Sequence, residues 1–365
     1  MSQRPQDPPE SAGAYPPGWV PVGPPSPPRS GRLWWIIAAV VLAVIVVVGA
    51  VAVSTGRGSR TAGAPYSPQP TPGSTQKAST AAPTSIASAA DAGPVGLITS
   101  DETCGPWDNV QTSVAAAVKN GWAQRDPALP ASGWEPARRS QFEAVGSALR
   151  SGADTAVTLA ARTPHRAMRE LYDAFAVYGR AYADSSPNYE PRDDFLAQTS
   201  LAALDSITEI CAAARSISAM PEPPAVPPAP PPSEPVVAEP ADVQRFLAEP
   251  NPTCARWVPS EATVREQTAD WSALDANIGV AQWNPAQRAV ADAAAQVMAA
   301  RADDMEAAGR DSGNPVVEDL ATLGALYLRA FAMEEPLYWT GDHDLADVGL
   351  AVDHLVSTAC QAVGG

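Results

Sequence analysis

Cys104-Gly-Pro-Trp107 returns as Cys254-Ala-Arg-Trp257 at an offset of 150, and Tyr178-Gly-Arg180-Ala-Tyr182 returns as Tyr327-Leu-Arg329-Ala-Phe331 at an offset of 149. Between these anchors Trp122 matches Trp271, and Trp134-Glu-Pro136 matches Trp283-Asn-Pro285. Pro187 and Tyr189 match Pro336 and Tyr338, and Cys211 matches Cys360. Uncommon residues agreeing at one shift, with a single one-residue gap, mark an internal duplication, so the fold question reduces to the fold of one unit.

That unit reads as helical. Pro136 and Pro285 suit the first turn of a helix, where the missing N–H is not needed, and Asn284 is a good cap before the second. The stretches that follow, to about Ala161 and Ala308, are rich in Ala, Arg, Glu and Gln and hold no proline. Thr163-Pro164 and Asn314-Pro315 repeat the cap-then-proline signature for a third helix. Its apolar face is Met168, Leu171, Phe175, Tyr178 and Tyr182 in the first copy and Val317, Leu320, Leu323, Tyr327 and Phe331 in the second, at helical spacing. A last helix leads into each second cysteine, and a short one follows each first cysteine. Four helices per copy predict a small antiparallel bundle.

Four cysteines allow three pairings. A unit copied whole closes its own bridge, which favours Cys104 with Cys211 and Cys254 with Cys360. An even number at regular spacing also points to an oxidising compartment.

Working outward, the chain's 39 prolines cluster outside the repeats. The resulting division is a Pro-rich disordered tail at 1–32, an apolar segment at 33–54, and a Ser/Thr/Pro/Ala-rich stalk at 55–97. Helical repeat 1 follows at 98–218, then a stiff Pro-rich linker at 219–249 and helical repeat 2 at 250–365. Leu33 to Val53 is an unbroken apolar run of 21 residues, long enough as a helix to cross a bilayer, and Trp34 and Trp35 sit where an interfacial belt would. The flanking arginines, two on each side, do not orient it; the cysteines beyond it do. The expected fold class is thus all-α, a single transmembrane helix carrying two tandem disulfide-closed helical bundles. The expected location is the plasma membrane, single-pass through residues 33–53, with the N-terminus cytoplasmic and the bulk of the chain outside.

The formal net charge of −16 is uneven: +3 over residues 1–97, −4 over 98–219 and −15 over 220–365. A half so acidic excludes nucleic-acid binding by simple electrostatics. The three histidines have no metal-ligand spacing, since His343 and His354 stand roughly 16 Å apart on a continuous helix. Asp342-His343-Asp344 with Asp347 is an acidic cluster that reads as a solvated helix start. There is no phosphate loop, nucleophile elbow or zinc spacing, so no catalytic residue, metal or cofactor is expected.

Two groups of residues have both a structural and a functional reading. The three repeated tryptophans of each copy are core anchors or an exposed aromatic platform. The aromatic helix carries the candidate ligand-binding residues Tyr178, Arg180, Tyr182, Tyr327, Arg329 and Phe331; the alternative for its arginines is an ion pair, for which Glu170 and Asp319 are considered. Arg139 with Glu143, and Arg288 with Asp292, read as pairs along a surface helix.

A Pro-rich tail, one Val/Ala-rich span, a Thr/Pro/Ala stalk and an Ala-rich domain with paired cysteines resemble actinobacterial, particularly mycobacterial, cell-envelope membrane proteins. The resemblance implies a plasma-membrane position facing the wall and transfers no site residue. The function expected is that of a membrane-anchored, non-enzymatic interaction protein binding an envelope protein or wall component. The alternative is a small-ligand sensor with a pocket inside each bundle.

Overall fold

The structure, a computed structural model, describes residues 86–220, 222–235 and 243–364. Among these the first copy folds into α1 (Cys104–Lys119), α2 (Pro136–Ala160), α3 (Arg166–Ser185) and α4 (Asp194–Ala219). The second folds into α5 (Cys254–Gln267), the single turn α6 (Ala269–Ser272), α7 (Pro285–Asp311), α8 (Pro315–Glu334) and α9 (His343–Ala362). The one β-type pairing among the described residues is the isolated bridge Val95–Ala229.

Local chemistry sets the helix starts. The Asn284 side chain accepts from the N–H groups of Ala286 and Gln287, and the Gln287 side chain accepts from the Asn284 N–H, a reciprocal capping box. Asn314 caps α8 through Val316 and Val317. In the first copy Thr163 instead donates to Asp101, which holds the turn open, and α3 begins at Arg166, two residues after Pro164.

Each copy is a bundle in which the second, third and fourth helices pack in sequence and the first closes against the second and fourth. Cys104 is bonded to Cys211, with Cα atoms 5.5 Å apart, and Cys254 to Cys360, at 5.3 Å. The bundles do not hang apart on a spacer. The most extensive helix–helix contact is α4 on α9, one from each copy, and α3 meets α8 beside it. Residues 86–97, read as the end of the stalk, lie on the helical body: Ala87 N–H donates to the Ala161 carbonyl, and Ser88 is buried, as is Ile98 where repeat 1 begins.

The membrane reading is corrected. No helix among the described residues is long and apolar enough to cross a membrane. α4 has the length, but Asp194, Asp205, Glu209 and Arg215 interrupt it. The segment at 33–54, with the tail and most of the stalk, lies outside the described residues. Among the described residues the fold is therefore all-α with no helix able to cross a membrane, and a single-pass plasma-membrane location with bilayer contact through 33–53 has no support in the structure.

Candidate functional site

The structure does not bring the six candidate residues into one site. Tyr178, Tyr182, Tyr327 and Phe331 are fully buried. Tyr178 donates its hydroxyl to the carbonyl of Leu247, in the segment that leads into the second copy. Tyr327 does the reciprocal, donating to the carbonyl of Ile98, in the lead-in to the first. These two equivalent tyrosines clasp the copies across their interface, and burial holds both phenols well above their usual pKa. Tyr182 accepts from the Trp122 indole N–H at 2.9 Å, and Phe331 packs edge-on to Trp271. Arg180 lies outside this core and pairs with Asp154 on α2; Arg329 pairs with the equivalent Asp303, and with Glu306, on α7. Their acceptors come from the neighbouring helix, not from Glu170 or Asp319.

The repeated tryptophans are core, each 9% exposed or less. Arg139 and Arg288 reach the carbonyls of Ala131 and Val280, closing the turn before each second helix.

Where the copies differ, the differences compensate one another. In copy one Phe175 packs on Trp107 and occupies the space over Gly152. In copy two those positions are Gly324 and Arg301, and Leu204 becomes Asp353. The Arg301 guanidinium then lies 4.9 Å from the Trp257 ring centre and makes two hydrogen bonds to Asp353, at 2.8 and 2.6 Å. An apolar contact has been exchanged for a buried, fully paired ion pair, the arrangement under which burying charge is tolerated.

Beside it lies a cleft of about 310 Å³ lined by Glu261, Arg265, Asp353 and His354 among others. Its titratable groups engage one another: Glu261 faces His354 Nδ1 at 3.1 Å and accepts from Ser357 and Arg265. These bonds outweigh burial and hold the Glu261 carboxyl below its usual range.

The seam between α4 and α9 gathers a different set. Glu209 from copy one meets Asp344 and Asp347 from copy two, with carboxylate oxygens within 4.8 Å of one another. Ser216 donates to Asp344, His343 sits 3.7 Å from Asp347, and Asp205 faces His354. Burial first, then the charges of Asp347, Asp344 and Asp205, push Glu209 up to about 7, with Arg215 opposing. Burial likewise raises Asp205 to about 6. A carboxyl that keeps its proton longer in the folded than in the unfolded chain stabilises the fold at low pH. It loses that contribution as pH rises through the folded value. The seam is therefore expected to weaken between about pH 4.5 and pH 7. Glu209→Gln should raise stability at pH 7.5 by on the order of 1–3 kcal/mol and leave it nearly unchanged at pH 4.5. Thermal unfolding of both proteins across that range checks this, and parallel pH profiles would refute it.

The family described as mycobacterial ESX-1 associated protein matches residues 86–364, the whole of the clasped helical body. The chain belongs to that family. An uncharacterized protein of Mycolicibacterium smegmatis (strain MKD8) is 37% identical over 354 residues, covering 96% of this chain and 92% of the relative. No solved structure matches. The mycobacterial part of the sequence resemblance holds; its membrane part does not follow from these similarities.

On this ESX-1 associated body the turn between α8 and α9 stands out. Leu337 is 80% exposed, Met333 53% and Trp339 45%. The turn is held firmly: Trp339 N–H donates to Asp342 at 2.7 Å, and the indole lies over Gly341, where a Cβ would stand 2.0 Å from the ring. Sequence reading of agreement between the copies missed these three residues, because they are places where the copies disagree.

Proposed function

We propose that the chain is a non-catalytic component associated with ESX-1 secretion in mycobacteria, acting as a helical body on which other proteins of that system dock. The observation that carries this reading is the family match, which runs from the lead-in segment of copy one to the end of α9. The mutual pairing of the charged groups in the cleft by Glu261 and His354 supports a scaffold more than a reaction centre. A large, clasped, disulfide-closed body with an exposed apolar turn is suited to holding a partner.

Deleting the gene from a mycobacterium is expected to lower export of that system's proteins into the medium sharply, with restoration by the intact chain. Export unchanged by the deletion would overturn the proposal.

A further inference from the structure

The two copies share one backbone plan, so each serves as a control for the other. At the turn between its third and fourth helices copy one carries Asp184, Asn188, Glu190 and Arg192; 149 residues on, copy two carries Met333, Leu337, Trp339 and Gly341. At the first three of these positions polar side chains have been replaced by large apolar ones that stay exposed, while Gly341 is buried beneath the Trp339 ring. Among the described residues the other large hydrophobics this exposed are Val157 and Val243, at 39% and 38%.

The charges around the turn change with it. In copy one Arg125 lies 3.4 Å over the Trp122 ring and pairs with Asp194. Copy two has Leu274 and His343 at these positions, and His343 stacks on Trp271 at 4.4 Å. Both arginines of this corner, Arg125 and Arg192, are gone. Meanwhile Ser185, Ser186, Phe195 and Gln198 have become Glu334, Glu335, Asp344 and Asp347. Tyr338, buried at the centre of the turn, lies in the field of Asp342, Asp347, Asp344 and Asp275.

We infer that the Met333–Leu337–Trp339 corner is a docking surface for a partner protein segment carrying a bulky apolar residue flanked by lysine or arginine. The apolar side chains supply contact area, with a tryptophan held in place by Gly341 as the anchor, and the acidic rim selects for positive charge. A second copy of the chain would bring acid against acid, and an anionic lipid surface would be repelled. The inference rests on the docking role proposed above and adds the place and the chemistry.

The test is a photo-crosslinking amino acid placed at position 337 of the full chain in mycobacterial cells, with the equivalent position 188 as control, and mass spectrometric sequencing of the joined peptides. Crosslinks from 337 and not from 188, to segments with an apolar residue flanked by Lys or Arg, are expected. With the crosslinker moved to position 336, the pair Met333→Asp with Trp339→Glu should cut their yield about tenfold, as loss of a hot spot does. That pair should lower the melting temperature only slightly, since Met333 is 53% and Trp339 45% exposed and the backbone hydrogen bond from residue 339 to Asp342 is kept. Crosslinks to acidic segments, to another copy of this chain, or none at all would overturn the inference. If export depends on the gene while 337 gives no basic crosslink, the surface is wrong and the role stands. Basic crosslinks from 337 with export unaffected would have the opposite meaning.

Discussion

Replacing Asp319 by alanine is expected to cost the folded body about 3–5 kcal/mol, the usual consequence of stranding a buried charge. Asp319 is fully buried on α8 and receives two hydrogen bonds from Arg166 on α3, at 2.7 and 2.9 Å, so the pair joins the two copies across their interface. Arg166 is itself only 3% exposed. Without Asp319 its guanidinium keeps the backbone carbonyls of Asp91 and Gly93 and a looser approach to the Asp91 carboxylate at 3.7 Å, which places the cost toward the lower end. Glu170 lies in the same field. Burial and the Asp319 charge hold its carboxyl well above the ordinary range, so loss of Asp319 also lets Glu170 ionise more readily. For a body of this size the expected fall in melting temperature is roughly 10 °C. Changing both partners together, Arg166→Met with Asp319→Leu, should recover most of it, because an apolar pair of similar volume avoids the desolvation cost. An Asp319→Ala protein melting within about 2 °C of the parent would show that the interface does not depend on this pair.

Loss of a disulfide is expected to be comparably severe. Cys104–Cys211 and Cys254–Cys360 close stretches with sequence separations of 107 and 106. For loops of that length the chain-entropy model gives about 4.7 kcal/mol, and measured losses of native bridges run at about 2–5 kcal/mol. Cys104→Ser with Cys211→Ser should therefore lower the melting temperature by several degrees or more, and the second pair should behave alike. Reductant should lower the parent protein's melting point to that of a variant lacking both bridges, and it should leave that variant unmoved. A variant without bridges that melts with the parent would exclude the entropic account here.

The helix starts show why part of the fold is legible in the sequence. Pro136 at a helix start depends on one residue's missing N–H, and the reciprocal cap of Asn284 and Gln287 in the second copy spans only four consecutive residues. α3 starts two residues beyond the Thr163-Pro164 signature because a contact from Asp101, 62 residues away, holds Thr163 out of the helix. Arg180 and Arg329 cannot pair with Glu170 and Asp319 along their own helix, and the acceptors they do find, Asp154 and Asp303, approach from the next one. Tyr178 and Tyr327 drew notice as aromatic residues of one repeated face; their hydroxyls turn out to receive the lead-in segment of the opposite copy. The change of Asn188 and Glu190 to Leu337 and Trp339 lies open in the sequence, but that these side chains face solvent does not.

By itself the sequence determined that this protein is a duplicated helical unit, because caps, turn residues and apolar spacing act over a few neighbouring positions and survive copying as a fixed shift. Only the tertiary structure decided that the two units form one clasped body. It also decided that Arg166 finds Asp319 at a separation of 153 residues, and that Leu337 faces solvent while Tyr338 beside it does not. Those outcomes depend on which faces are buried against which, and burial is a property of the whole packed assembly, not of any local stretch of chain.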